Sequence, residues 1–146
     1  MKPWYAKTGL RFRCLPDCGM CCAEKGWVFF TFLEAGAAAE YLNTTVDTLV
    51  ADGTFVELPT CYSAKHIETG ACRFLKDGKC SIYPVRPAQC VTFPFWWTYL
   101  TSPEAWTAAI KRCPGCGVGP VHSAEEIETA ADAQARSMRE IGASCV

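Results

Sequence analysis

The chain has 146 residues, 50% hydrophobic and 20% charged, with a formal net charge of −1 at pH 7. That length suits a single domain, 1–146, able to bury a core of its own. The charge balance excludes the basic footprint of a nucleic-acid or anionic-membrane binder.

The N-terminal MKPWYAKTGLRFR lacks the apolar stretch of a secretory signal, so a cytoplasmic location is expected. Val91 to Leu100, the most apolar run, is too short for a bilayer, which takes about 20 residues. No membrane partner is expected.

Residues 27–30 (WVFF) form a short apolar run suited to a buried strand. Thr31 and Glu34 then have the spacing of a capping box, which predicts a helix over 32–42. Thr44 with Asp47 offers a second cap before a turn or two of helix ending near Gly53. Residues 54–58 and 62–68 read as extended, and 72–83 as a hairpin with Asp77-Gly78 at its turn.

Ser102, followed by Pro103, starts a helix running to about Arg112. Ser123 and Glu126 form a last capping box. It opens a helix over 124–141, with Ile127, Ala131, Gln134, Met138 and Ile141 near helical spacing and Gly142 as its stop. Helices and short strands are segregated, so the expected class is α+β, organised around a cysteine-rich site.

Eleven residues are cysteine. The odd count, the missing export signal and the adjacency of Cys21 and Cys22 argue against a disulfide scaffold, and in a reducing compartment such density points to metal. The cysteines fall into three groups: Cys14, Cys18, Cys21 and Cys22; Cys72, Cys80 and Cys90; Cys113 and Cys116. Each group lies in a loop or beside a turn residue.

Thiolates side by side are unfavourable unless a cation sits between them, and a divalent metal supplies that charge while deprotonating the thiols. Cys18-Gly19-Met20-Cys21 and Cys113-Pro114-Gly115-Cys116 are C-x2-C segments, and two such pairs would complete a four-sulfur tetrahedron. A redox dithiol at Cys113 and Cys116 is the competing reading. It is disfavoured because a thioredoxin-like motif opens a helix, whereas this one closes a helix. For Cys72 and Cys80, a strict two-residue turn would point the two side chains to opposite faces, so joint ligation calls for a three-residue loop or an open turn.

"CLPDCGMCC", "CRFLKDGKCSIYPVRPAQCVTFPFWW" and "RCPG" together resemble the YkgJ-type cysteine-cluster family, the CxxCxxCC domain, over residues 10–120. The resemblance implies chelation of zinc or iron by Cys14, Cys18, Cys21, Cys22, Cys72, Cys80, Cys90 and Cys113. The chain departs from the family pattern in having three residues between Cys14 and Cys18, and Cys61, Cys116 and Cys145 are extra. Family members have been labelled iron-sulfur oxidoreductases, which implies a 4Fe-4S cluster as one form of the cofactor.

Arg86 is a candidate donor to a thiolate or a loop carbonyl at the cofactor site. Tyr83 with Phe93, Phe95, Trp96 and Trp97 is expected to wall the metal, and segment 93–97 is alternatively a patch for a protein partner. His66 and His122 read as hydrogen-bonding histidines before nitrogen ligands. No Ser/His/Asp set, phosphate loop or catalytic carboxylate pair is visible. The expected function is metal binding, with an iron-sulfur oxidoreductase or electron carrier as the alternative and a zinc-structured interaction module after that.

Overall fold

The computed structural model describes residues 1–15, 17–23, 27–64, 70–111 and 113–142. Its elements are β1 (Leu10–Phe12), α1 (Met20–Ala23), β2 (Val28–Phe30), α2 (Phe32–Tyr41), α3 (Val46–Ala51), β3 (Phe55–Glu57), β4 (Tyr62–Ala64), β5 (Leu75–Lys76) and β6 (Lys79–Cys80). A 3-10 turn at Tyr83–Val85 follows, then α4 (Ala88–Thr92), α5 (Trp97–Leu100), α6 (Pro103–Ile110), β7 (Cys116–His122) and α7 (Ala124–Ile141). The α+β class holds, and the strands form three small antiparallel sheets ordered β1-β7, β2-β4-β3 and β5-β6.

Among the described residues two main hydrophobic cores carry the fold, and a small third cluster joins Cys61 to Ile141. In the first, the Phe30, Phe55 and Phe74 rings meet with centroids 5.0–5.6 Å apart and take edge-on or tilted arrangements, as aromatic quadrupoles prefer. Ala35, Ala38 and Ala39, at helical spacing on α2, let that helix approach closely. Cys72 is buried within this core, and Cys22 and Cys80 pack against it. The second core joins Tyr5, Leu10, Phe12, Phe95, Leu100 and Trp106 to Ile127 and Ala131 of α7, with Cys14, Cys113 and Cys116 at its margin. Phe95 and Trp106 stack there at 5.8 Å and 8°.

Both capping boxes form as expected, at Thr31/Glu34 and Ser123/Glu126, and helices 32–41 and 124–141 follow them. Because α7 buries Ile127 and Ala131 in the second core, its cap is coupled to the stability of the whole domain. Ser123→Ala is expected to cost about 1 kcal/mol in urea unfolding, and Ser123→Asp to restore most of it. Equal midpoints for wild type and Ser123→Ala would show that the cap contributes nothing.

Four expectations need correction. The cap of α3 is Thr45, which accepts from the Thr48 N–H, not Thr44. Cys21 and Cys22 sit on the one-turn helix α1 and Cys90 on α4, not in loops. Cys116 opens β7, and its pairing with β1 gives order to a stretch expected to be a loop; the register shifts between Arg11 and Phe12, so that Phe12 faces Cys116.

The fourth correction concerns the hairpin, whose turn is a strict two-residue one. Lys76 pairs with Lys79, and Asp77 and Gly78 both have positive φ, at 50° and 76°, the signature of a type I′ turn. Alternation along the strand nevertheless fails to part Cys72 from Cys80. The Leu75 N–H donates to the Cys72 carbonyl at 3.0 Å, so a turn separates Cys72 from β5 and re-aims it. Residues 65–68 of the expected extended run lie outside the described residues, as do His66, Arg112 and Cys145.

Candidate metal centre

A cavity of about 300 Å³ opens between the two cores, and Cys14, Cys18, Cys21, Cys22, Cys72, Cys80, Cys90 and Cys113 all line it. Tyr83 and Arg86 line it too. Cys61 and Cys116 do not. Cys61 is fully buried and disulfide-bonded, whereas the other nine described cysteines are free thiols.

Local backbone chemistry brings these sulfurs together. The Cys18 N–H donates to the Leu15 carbonyl at 2.9 Å, Gly19 takes φ 60°, and one turn of helix follows with Ala23 bonded back to Gly19. That sequence of turns sets Cys18, Cys21 and Cys22 over the cavity. The Cys72 N–H then donates to the Cys22 carbonyl at 2.6 Å, tying the second cysteine group to the first.

Cys90 is held through two polar residues: Glu34, legible in the sequence only as a cap of its own helix, and Gln89, which sequence reasoning missed. Glu34 bonds the Thr31 N–H through Oε1 at 2.9 Å and the Ala88 N–H through Oε2 at 2.6 Å, so one carboxylate caps both α2 and α4. Gln89 accepts from the Phe29 N–H and donates to the Trp27 carbonyl, both at 3.0 Å, which fastens α4 to the β2 edge. Only the local half of the Glu34 signal, its spacing from Thr31, could have been read from the chain.

Arg86 supplies the positive charge. Its Nη1 donates to Cys14 Sγ at 3.6 Å and to the Cys90 carbonyl at 3.4 Å, while Nε donates to the Tyr83 carbonyl at 3.0 Å. The guanidinium stacks 3.9 Å from the Tyr83 ring centroid, a cation–π contact. Arg86 thus donates to a cysteine sulfur and to two backbone carbonyls at once.

The thiols are electrostatically unequal. Cys22 hydrogen-bonds both Cys21 and Cys80; these bonds push the Cys22 thiol up and hold Cys21 and Cys80 below the ordinary thiol value, and Arg86 adds to that lowering. Burial raises Cys72 and Cys90, with the neighbouring thiolates adding to it. The hydrogen bond to Cys14, and then burial, raise the Tyr83 phenol. The cluster therefore mixes thiols poised to ionise with thiols that need a cation beside them to do so.

Of the rings expected at the metal, Tyr83, Phe93 and Trp96 line the cavity, joined by Tyr99, Phe12, Trp27, Phe30 and Phe74. Phe95 belongs instead to the second core, and Trp97 donates to Asp132 at 3.0 Å outside the cavity. His122 bonds the Phe12 carbonyl at 3.0 Å and packs against the Phe12 and Phe95 rings, a structural role.

Among the described residues, no three His, Cys, Asp or Glu side chains already stand close enough to enclose an ion. The donor set nevertheless fits zinc or iron. It is all sulfur, it mixes ionisable and buried thiols, and aromatic rings share the lining with it, the chemistry that thiolate-bound zinc and iron-sulfur centres share. No solved structure matches the chain, and among the described residues no helix is long and apolar enough to cross a membrane. A family model described as "Putative zinc- or iron-chelating domain" matches residues 13–117, a span holding all eight cavity cysteines, and the chain belongs to this CxxCxxCC family.

Proposed function

We propose that the chain binds zinc or iron through Cys14, Cys18, Cys21, Cys22, Cys72, Cys80, Cys90 and Cys113, with Arg86 and Tyr83 orienting and neutralising the sulfurs around Cys14. One observation carries this reading: thiols from widely separated segments line a single cavity. Packing alone would scatter them through the two cores. Bound zinc would fix the sulfurs and lend structure, and bound iron with sulfide would add one-electron transfer.

The iron-sulfur form has its own support. The cavity exceeds what one ion fills, its wall is aromatic, and Arg86 places a cation against the sulfurs, features that tune cluster potentials. Anaerobic purification followed by elemental analysis and a visible spectrum is the test. At least one metal per chain is expected, with a brown colour bleached by reductant for the cluster or a colourless protein for zinc. Cys22→Ser is expected to weaken binding by at least roughly tenfold. Metal below one equivalent per chain after anaerobic handling would refute the reading.

A further inference from the structure

We propose that Cys113 and Cys116 form a reversible disulfide by exchange with a small-molecule disulfide, a bond that withdraws Cys113 from the cavity. The inference rests on the metal-binding reading above.

The geometry of the turn carries it. The Cys116 N–H donates to the Cys113 carbonyl at 3.1 Å, closing a β-turn over Pro114 and Gly115. Such a turn brings its end Cα atoms within about 7 Å, and disulfides span roughly 4.4–6.8 Å between Cα atoms. Burial, and then the neighbouring Cys113 thiol, push the Cys116 thiol up, so the two sulfurs lie within reach of one another. The turn is braced from outside, since the Arg13 N–H donates to the Gly115 carbonyl at 3.0 Å and a side chain on Gly115 would overlap the Arg13 backbone. Closing the bond therefore needs side-chain rotation on a held backbone.

The pair is also placed differently from the other thiols. Cys113 lines the cavity and Cys116 does not. Cys21, Cys22, Cys72 and Cys80 all line it, so no hydrogen-bonded thiol in that group stands outside. Cys21 and Cys22 are adjacent, and pairing them with one another would strain the peptide between them. Of the contacts described, the one from Cys113 to Cys116 links a sulfur inside the cavity to one outside it.

The chemistry balances. The Cys113 thiolate attacks one sulfur of the small disulfide, a thiolate leaves, and a mixed disulfide remains. Cys116 then attacks the Cys113 sulfur and displaces the second thiolate. The two cysteines lose two electrons, the small disulfide gains them, and both cysteine protons end on the two released thiols. Cys113, now a disulfide sulfur, has no anionic lone pair to give a metal, and a dithiol reductant reverses the change.

The test uses the full chain, reduced and metal-free, incubated with oxidised glutathione, alkylated and mapped by mass spectrometry. In parallel, Zn²⁺ affinity is read by competition with a chromophoric chelator. The expected first bond is Cys113 to Cys116, with two glutathione thiols released per bond. Zinc affinity should fall by at least roughly tenfold on oxidation, the scale of losing one supporting group or more, and should return with dithiothreitol. C116S should bind Zn²⁺ as tightly as reduced wild type and stop at the mixed disulfide, releasing one thiol. C116A serves as the second variant, with circular dichroism reporting the fold of each. A first disulfide elsewhere, unchanged zinc affinity after oxidation, or a C116S protein as weak as C113S would overturn the proposal. Reduced wild type that takes up no metal would sink the metal-binding reading itself, while the disulfide map would still decide whether this pair closes.

Discussion

Gly19→Ala is expected to destabilise the domain by about 2–5 kcal/mol and to strip it of metal at the same time. Two costs add. Gly19 sits at φ 60°, a left-handed conformation that costs a residue with a Cβ roughly 1–2 kcal/mol. The added methyl would also overlap the Gly78 carbonyl and press on the Leu75 side chain, and overpacking of this kind costs roughly 1–3 kcal/mol. The hairpin turn or α1 must then move. Either shift separates Cys21 and Cys22 from Cys72 and Cys80.

Gly78→Ala is the internal control. Its φ is 76°, but a Cβ there would meet open space, so only the backbone cost of roughly 1–2 kcal/mol applies. The gap between the two variants in urea unfolding isolates the close approach of Gly19 to the hairpin. A Gly19→Ala midpoint equal to that of Gly78→Ala would show that α1 does not rest on the turn.

The parts of the fold legible in the sequence are those set by local chemistry. Thr31 with Glu34 and Ser123 with Glu126 carry their partners three residues away, so the helices at 32–41 and 124–141 could be read directly. At α3 the cap lies on Thr45, one residue past Thr44, because two adjacent threonines offer the same hydroxyl and only the backbone decides which one accepts. One-turn helices such as α1 and α4 are too short for a hydrophobic period to register. Tertiary bonds hold them in place, Glu34 to Ala88 and Gln89 to the β2 edge for α4, and the Cys72 N–H to the Cys22 carbonyl for α1.

The site was legible at the level of which residues gather, and less so in how they do. Cysteine grouping and the family pattern named the eight sulfurs that line the cavity. Cys72 and Cys80 share the cavity across a strict two-residue turn because Cys72 is not part of the strand. A turn closed by the Leu75 N–H removes it. Likewise the β1 and β7 pairing joins residues more than a hundred positions apart, and no local signal in Gly117-Val118-Gly119-Pro120 announces a strand. Long-range pairing of short strands lies beyond what a period-two pattern can register.

Removing bound metal is expected to lower the melting temperature by roughly 8–16 °C. Cys72 lies in the core built on Phe30, Phe55 and Phe74, with Cys22 and Cys80 against it, and Cys14 and Cys113 border the core built on Phe12, Phe95 and Trp106. Ions joining sulfurs from both sides would cross-link the two cores, and that cross-link exists only in the folded chain. A ligand that binds only the folded state at a thousand times its dissociation constant adds about 4 kcal/mol, and each kcal/mol moves the midpoint of a chain of this size by roughly 2–4 °C. The shift should grow with free Zn²⁺ and vanish with excess chelator, and hydrogen exchange should quicken in both cores when the metal leaves. Protection lost from one core alone would place the ion within that core's own sulfurs, and a melting temperature indifferent to zinc would remove the cross-link altogether.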